Sequence, residues 1–564
     1  MKRPSLRRLK IFSKVLWKKL SIIEKTIIGL LILVFILDLS GAFSSFFNSS
    51  DSLLPEKGGV IVEGVIGQPR FINPLFARSD TDKTLSSLIF PGLITYNKQK
   101  EPISSLAEKW EISENKTDYK FFLKKDVLWH DKQVFNADDV LYTVAVLQNP
   151  DYKEALKSTW EGIRIEKVDD FTVIFHLPKA FPSFLNNLTI GIVPRHVWDS
   201  TTVTDMPKSS FNLNAIGTGP YSIDGVNRDK SGKIISLKMV ANSLLGDNGP
   251  NIQNFEMKFY DNKEDLVKGF QVREFSSFGI YSGDSQDISQ KDRGFNNYNV
   301  NLPQYVSLFL NKKKNPALND IAVRQAMSYG LDKNKVNEAG TYGAGVVIDS
   351  PMLPGYLGYS SDVKKYAYDQ KAASSTLTQA GWGDQNNDGV KEKDDKILSF
   401  EIVTVDSPEL ARVAENISAQ WAKIGIRTSI KKIDATTLDK DYLQTRNFDI
   451  LLFGESMGTD PDPYPYWHSS QVTYPGLNIS GFTNGEADKV LEEARQSSDT
   501  NVKLKDYKKF QDIIADEIPA IFLYQPVYVY KIYDKVKGVD LSSITNTWDR
   551  FFDVKNWFVK YRRK

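Results

Sequence analysis

Apolar positions along the chain switch between a period of two, a period near 3.6 and short unbroken runs, and each switch marks an element. The stretch from Ile103 to Val140 shows all three. Asp118 to Leu123 is dense in Tyr and Phe and alternates poorly, which predicts a strand buried on both faces. The polar run Ser113 to Thr117 supplies the turn before it, and Trp129-His130-Asp131-Lys132 the turn after. Asn136 precedes Ala137-Asp138-Asp139 as an N-cap with acids in the first helical turn. Val140, Leu141, Val144 and Leu147 then recur at helical spacing, so a helix begins there.

The same reading extends along the rest of the chain. Val60 to Val62 and Val65-Ile66 are strand-like, and Gly67-Gln68-Pro69 ends them. Asp169-Asp170 turns into an alternating strand up to Leu177. Tyr305 to Asn311 reads as a strand, followed by a helix capped at Leu318-Asn319-Asp320. Leu398 to Val403, Leu410 to Ile424 and Arg427 to Ile430 run strand, helix, strand, which predicts a parallel pair with a right-handed crossover. Phe448 to Phe453 is a further buried strand.

At 564 residues the chain is too long for a single hydrophobic core, so two or more lobes are expected. Residues 1–25 hold nine Lys or Arg against one acid, Glu24, and Thr26 to Phe47 then carries one charge, Asp38, in an apolar run. That run is long enough to span a bilayer at about 1.5 Å per residue. Its basic flank predicts a cytoplasmic N-terminus with everything after it outside. A signal peptide cleaved after the small residues Ser40-Gly41-Ala42 is the alternative; the run is read here as an uncleaved anchor. Setting aside the nine bases and two acids before residue 48 leaves 63 bases and 68 acids, a net charge of −5. The overall excess of +2 therefore belongs to the membrane flank and gives no sign of nucleic acid binding. There are no cysteines, which excludes thiol nucleophiles, disulfides and a lipid-modified Cys. Asn48 to Lys57 reads as a short polar linker, and the basic, aromatic stretch up to Lys564 as a frayed, solvated tail.

Three motifs bear on chemistry. Gly454-Glu455-Ser456-Met457-Gly458 matches G-x-S-x-G after a strand, but Pro461, Pro463 and Pro465 forbid the helix that a hydrolase elbow requires. Asp384, Asn386, Asp388 and Asp395, with Gly389 at the sixth position and Glu392 beside them, approximate a calcium loop, though Asp closes it in place of Glu and three lysines dilute its field. Ile216 to Tyr221 is Gly-rich without a following Lys-Ser/Thr, so its glycines are expected to allow a tight turn rather than to hold phosphate. His130, His176 and His196 read as hydrogen-bonded structural residues rather than metal ligands.

Several of these stretches, in order, resemble the family 5 extracellular solute-binding proteins of ABC importers, the oligopeptide, dipeptide and nickel-binding group. The similarity rests on Asn73-Pro74-Leu75, Gly92 to Tyr96, the hairpin from Tyr119 to Asp131, Ile192 to Trp198, Gly217 to Tyr221, Leu318 to Lys333, Ala380-Gly381-Trp382, Asn478 to Asn484 and Asp516 to Tyr524. It runs with gaps from about Gly58 to about Asp553. The resemblance implies an α/β, two-lobed periplasmic-binding-protein-like clamshell of type II, with an extra subdomain in lobe I, preceded by one transmembrane helix. The expected organisation is a basic segment 1–25, an anchor 26–47, a linker 48–57, lobe I over 58–300 with 525–553 returning to it, lobe II over 301–524, and a tail 554–564.

The resemblance further implies a non-enzymatic, monomeric binding protein without cofactor or bound metal. It would capture oligopeptides between the lobes and pass them to ABC permease subunits in the membrane. A non-peptide solute such as a nickel chelate, or a sensory module without transport, are the alternatives. Ligand-binding candidates are Phe71, Ile72 and Asn73 in the first loop and Glu455, Ser456, Met457, Asp460 and Asp462 in the loop after the last buried strand. In peptide-binding relatives a carboxylate of that loop receives the peptide's ammonium. Aligned on Asp460-Pro461, the corresponding position lies near Met457, which is not an acid.

Overall fold

The computed structural model describes Ser21 and residues 53–97, 101–154, 156–180, 184–284, 293–458, 462–497, 499–542 and 544–563, apart from the side chains of 158 and 563. Among these residues no helix is long and apolar enough to cross a membrane; the predicted span 26–47 lies outside them. The chain divides into a large unit, Lys57–Val559, and a small one that joins the segment up to Glu56 with Lys560–Lys564.

Two mixed sheets organise the large unit. The first has seven strands, in the order Phe295–Asn301, Val527–Tyr533, Ser277–Tyr281, Val60–Ile66, Asn254–Tyr260, Ile234–Ala241 and Tyr221–Arg228. Val60–Ile66 lies parallel to both of its neighbours and the other pairs are antiparallel. The second has six strands, in the order Val346–Val347, Ala520–Gln525, Gln304–Leu310, Ile450–Ser456, Ser399–Val405 and Arg427–Ile433. Each sheet carries its own core. Ile61, Leu237, Phe255 and Met257 pack in the first, while Leu308, Ile402, Ile450 and Leu452 pack on one face of the second and Phe309, Leu451 and Phe522 on the other. The result is a two-lobed α/β fold.

The chain passes between the sheets twice, and each crossing is short. Leu302-Pro303 separates Phe295–Asn301 from Gln304–Leu310, and Pro526 alone separates Ala520–Gln525 from Val527–Tyr533. The crossings lie side by side, because the Gln525 side-chain amide donates to Leu302 O at 2.7 Å. Two adjacent short connections leave few backbone torsions to absorb relative motion of the sheets, which is the usual construction of a hinge.

Local signals account for many elements. Asn136 caps helix Ala137–Gln148 in a full capping box with Asp139, and Asp320 caps Ile321–Tyr329. Ser399–Val405, helix Pro408–Ala422 and Arg427–Ile433 form the expected parallel unit. His130 is held by backbone on both ring nitrogens: Nδ1 accepts from Gly217 N–H, and Nε2 lies 3.2 Å from Gly219 O. Burial lowers its pKa, consistent with a neutral ring protonated at Nε2. His176 pairs with Asp118 at 2.6 Å and His196 with Asp131 at 2.8 Å.

Several expectations fail for physical reasons. Asp118–Leu123 alternates in burial, with Tyr119, Phe121 and Leu123 inward and Asp118, Lys120 and Phe122 half-buried, because its four-stranded sheet packs on one face only. The glycines of Gly217-Thr218-Gly219 are needed for close approach and not for a left-handed turn: a Cβ on Gly217 would sit 1.9 Å from Ile89 O. Linker and tail are not free chain, because Leu53–Glu56 and Lys560–Arg563 pair as antiparallel strands. Upstream of that pair Trp557 is fully buried, and Phe558 exchanges backbone hydrogen bonds with Lys537.

Candidate functional site

The two predicted loops arise from different sheets. The first follows Val60–Ile66. Its backbone is fixed from below by helix Asp80–Ile89, where the Asp82 carboxylate accepts from Arg70 N at 2.7 Å and Phe71 N at 3.0 Å. Ile72 is fully buried in the first core, so it packs the lobe. Asn73 is also buried. Its Oδ1 accepts from Leu75 N, while its Nδ2 has no hydrogen-bond partner among the described residues. Phe71 is half-buried.

The second loop follows Ile450–Ser456. Register fixes the end of this strand: Tyr305 lies opposite Glu455 and Gln304 opposite Ser456. Met457 N then donates to Pro303 O at 2.7 Å, which ties the start of the loop to the first crossing. The loop therefore leaves the second sheet at its junction with the first.

The acids of this loop behave differently from the sequence expectation. Glu455 is 5% exposed and accepts from the Tyr305 hydroxyl. Burial pushes its pKa up to about 8, against the lowering effects of the Tyr305 hydrogen bond and the Arg446 charge. Arg446 is itself held by backbone, donating to Leu443 O and Gly476 O. Asp462 is buried, accepts from Tyr464 N at 3.0 Å and pairs with Arg495 Nε at 3.1 Å. Arg495 also stacks over Tyr464, whose ring lies parallel to that of His468 at 4.1 Å. Glu455 and Asp462 are thus internal partners of Tyr305 and Arg495. Ser456 is exposed, Met457 is buried, and Asp460 lies outside the described residues.

The G-x-S-x-G match has no elbow geometry. Ser456 still belongs to the strand, and its carbonyl accepts from Tyr466 Oη at 2.8 Å. A helix does follow, contrary to the proline argument, but it is the single turn Tyr464–Trp467, with Pro465 in its first positions where no N–H is required.

The calcium-like loop is rearranged as well. Asp384, Asp388 and Glu392 are brought together, while Asp395 occupies the left-handed turn of the hairpin Glu392–Lys393/Lys396–Ile397. The Asp384 carboxylate accepts from the backbone of Asp388 and Gly389, and Asn386 Oδ1 also accepts from Asp388 N.

Sequence reasoning missed a cluster that bridges the two sheets. Arg412, on helix Pro408–Ala422, donates to Ala339 O at 2.8 Å and to Gly340 O, and reaches across to Gly283 O at 3.2 Å in the first lobe. One turn earlier, Glu409 accepts from Tyr524 Oη at 2.8 Å. A basic residue set among the apolar Leu410, Val413 and Ala414 was the available signal. A small, partly open pocket of about 30 Å³ beside Lys333 and Asp349 lies in the second lobe, away from both loops, and is large enough for about one water.

Comparison with known proteins agrees with this architecture. The family model described as "Bacterial extracellular solute-binding proteins, family 5 Middle" matches residues 101–475. The oligopeptide-binding protein AppA of Bacillus subtilis (strain 168) is 29% identical over 533 residues, covering 91% of this chain and 96% of its own. The solved structure of AppA from Bacillus subtilis in complex with a nonapeptide is similar with a TM-score of 0.74 at 27% identity, covering 90% of this chain and 100% of that one. NikZ from Campylobacter jejuni in complex with Ni(L-His) is similar with a TM-score of 0.72 at 27% identity, covering 88% and 99%. The chain belongs to the bacterial extracellular solute-binding proteins of family 5.

Proposed function

We propose that this chain is the membrane-anchored, non-enzymatic binding component of an ABC importer, and that it captures oligopeptides between its lobes and delivers them to a permease. One observation carries the reading: two sheets with separate cores, joined by two adjacent one- or two-residue crossings, with the loop after Ile450–Ser456 leaving beside a crossing. Ligand touching both lobes would stabilise their closed arrangement, and the closed arrangement would be read by the permease. The finer organisation proposed is a type II clamshell with an added subdomain around the four-stranded sheet. Lobe I covers 58–300 and 525–553, lobe II covers 301–524, and the chain acts as a monomer. Residues 26–47 form the anchor, with 1–25 in the cytoplasm.

For the ligand site the proposal narrows to Phe71 and Asn73 from the first lobe and Ser456, Met457 and Asp460 from the second. Glu455 and Asp462 support these residues from behind. If a loop carboxylate receives a peptide ammonium, Asp460 does so, and Asp460→Asn weakens peptide binding at least tenfold without changing the thermal midpoint. The engagement of Glu455 and Asp462 favours one second reading, a solute that has no free amine. Native mass spectrometry on the chain from residue 48 onward, purified without refolding, separates the two. A spread of co-purifying peptide masses supports the peptide carrier, and a single non-peptide mass overturns it.

A further inference from the structure

The small unit of the structure joins two segments that are more than 500 residues apart in the chain, and its register has a directional consequence. Leu53 lies opposite Arg563, Leu54 opposite Arg562, Pro55 opposite Tyr561 and Glu56 opposite Lys560. The pair is antiparallel, so the strand Lys560–Arg563 runs toward Leu53, the end of the pair that is nearer in sequence to the apolar run ending at Phe47. Five residues, and so six Cα–Cα steps, separate Phe47 from Leu53. Fully extended they reach about 20 Å, and any less extended path brings the pair closer to the bilayer. The headgroup layer occupies several ångströms of that reach, at about 5–7 Å per leaflet.

Charge complements this placement. Lys560, Arg562, Arg563 and Lys564 put four bases into five residues, with no acid among them. Glu56 faces Lys560, so part of that charge is compensated; Arg562 and Arg563 face leucines. Lys560, Tyr561 and Arg562 are exposed. Bases with an adjacent exposed aromatic ring suit an interface in which phosphates lie above hydrocarbon, because the ring is amphipathic and each base gains about 1 kcal/mol beside an anionic surface. The exported part carries a net charge of −5, which an anionic membrane would repel, so this strand would be a local exception to the charge of the whole.

We infer that the strand Lys560–Arg563 is a membrane-surface contact that binds anionic phospholipid headgroups at the foot of the anchor. The inference rests on the proposal that residues 26–47 span the bilayer. It gives the pairing of Leu53–Glu56 with Lys560–Arg563 a purpose, since the ladder holds the basic strand at the level of the headgroups.

The chain has no cysteine, so Tyr561→Cys provides a single labelling site in the full chain. The labelled chain, carrying an environment-sensitive fluorophore, is reconstituted into vesicles of phosphatidylcholine alone or mixed with phosphatidylglycerol, each doped with a headgroup-level quencher. Quenching is expected on the mixed bilayer, with loss in molar salt, where the screening length falls to about 3 Å. Lys560→Gln and Arg562→Gln should each lower the ratio of lipid-contacting to free label roughly fivefold, with no change in thermal midpoint because both side chains are exposed. Equal quenching on the two lipid compositions, or no response to both charge removals, overturns the inference. Alkaline carbonate extraction tests the anchor separately: release of the chain from either bilayer removes the anchor and the inference with it, whereas retention with composition-independent quenching overturns the lipid contact alone.

Discussion

Breaking the buried pair Glu63–Arg550 should cost the first lobe more stability than any single surface change. Glu63 sits mid-strand in Val60–Ile66 with no exposed surface, and its carboxylate accepts from Arg550 Nε at 3.0 Å, from Tyr530 Oη at 2.9 Å and from the Ser277 hydroxyl. Arg550 also donates to Thr84 Oγ1 at 3.2 Å and Thr547 O at 2.7 Å, which fastens the turn Thr547–Phe551 to helix Asp80–Ile89. Arg550→Met keeps the apolar stem but leaves Glu63 with two hydroxyls and an uncompensated charge, a loss of about 3–5 kcal/mol. Adding Glu63→Gln removes that charge while its amide oxygen can still accept from Ser277 and Tyr530. The double variant should therefore be more stable than Arg550→Met alone. Urea unfolding followed by tryptophan fluorescence measures each step of this cycle. Burial already raises the pKa of Glu63, and loss of Arg550 raises it further. A group whose folded pKa lies above its unfolded value contributes stability at low pH that is lost as pH rises, so the gap between Arg550→Met and wild type should narrow on acidification. An Arg550→Met protein as stable as wild type, or a double variant that costs the sum of the singles, would refute the reasoning.

Three other outcomes follow from the geometry. Glu455 titrates at about 8 in the fold, well above its unfolded value, so its protonated form stabilises lobe II and that contribution is lost between about pH 4.5 and 8, at roughly 1.4 kcal/mol per pH unit. Glu455→Gln should flatten the pH dependence of the second lobe's unfolding, and an unchanged slope would contradict the burial argument. Gly217→Ala places a Cβ 1.9 Å from Ile89 O and should cost about 1–3 kcal/mol by overpacking, read as a lowered urea midpoint; no change would mean that the backbone yields there freely. Arg412→Ala removes the donor that joins Gly283 O to Ala339 O and Gly340 O. It should broaden the interlobe distance distribution of the ligand-free chain, measured between spin labels on the two lobes, and an identical distribution would mean that Arg412 does not restrain the lobes.

Legibility in the sequence tracked distance along the chain. The caps at Asn136 and Asp320 and the strand–helix–strand unit from Ser399 to Ile433 were readable because each depends on residues within a turn or within one supersecondary unit. Pairing of Leu53–Glu56 with Lys560–Arg563 was not, since each segment alone is only four residues long and its partner lies more than 500 residues away. Arg550 is similar: nothing near it in the chain shows that it meets a carboxylate 487 residues away. Local spacing also misled at Asp395, where the acid at the twelfth position suggested a ligand although the chain turns through it in a left-handed hairpin.

The loop after Ile450–Ser456 shows why an acid-rich loop in the sequence is a weak guide to a binding site. In the sequence, Glu455, Asp460 and Asp462 read alike as candidate ligand-binding carboxylates. Strand register decides the first, because Tyr305 stands opposite Glu455 and the side chains of facing residues share one side of the sheet. The helix Gly485–Gln496 decides the third, because it presents Arg495 to Asp462. Both acids therefore hold the loop, and a ligand ammonium seeking a carboxylate there would have to displace Tyr305, which leaves a buried hydroxyl unpaired at about 1–3 kcal/mol, or the half-buried Arg495. On the proposed peptide reading, Asp460 is the acid of this loop left to receive the amine, so the affinity of Asp460→Asn for peptides with free and with acetylated N-termini separates a loop that reads the amine from one that only shapes the cavity.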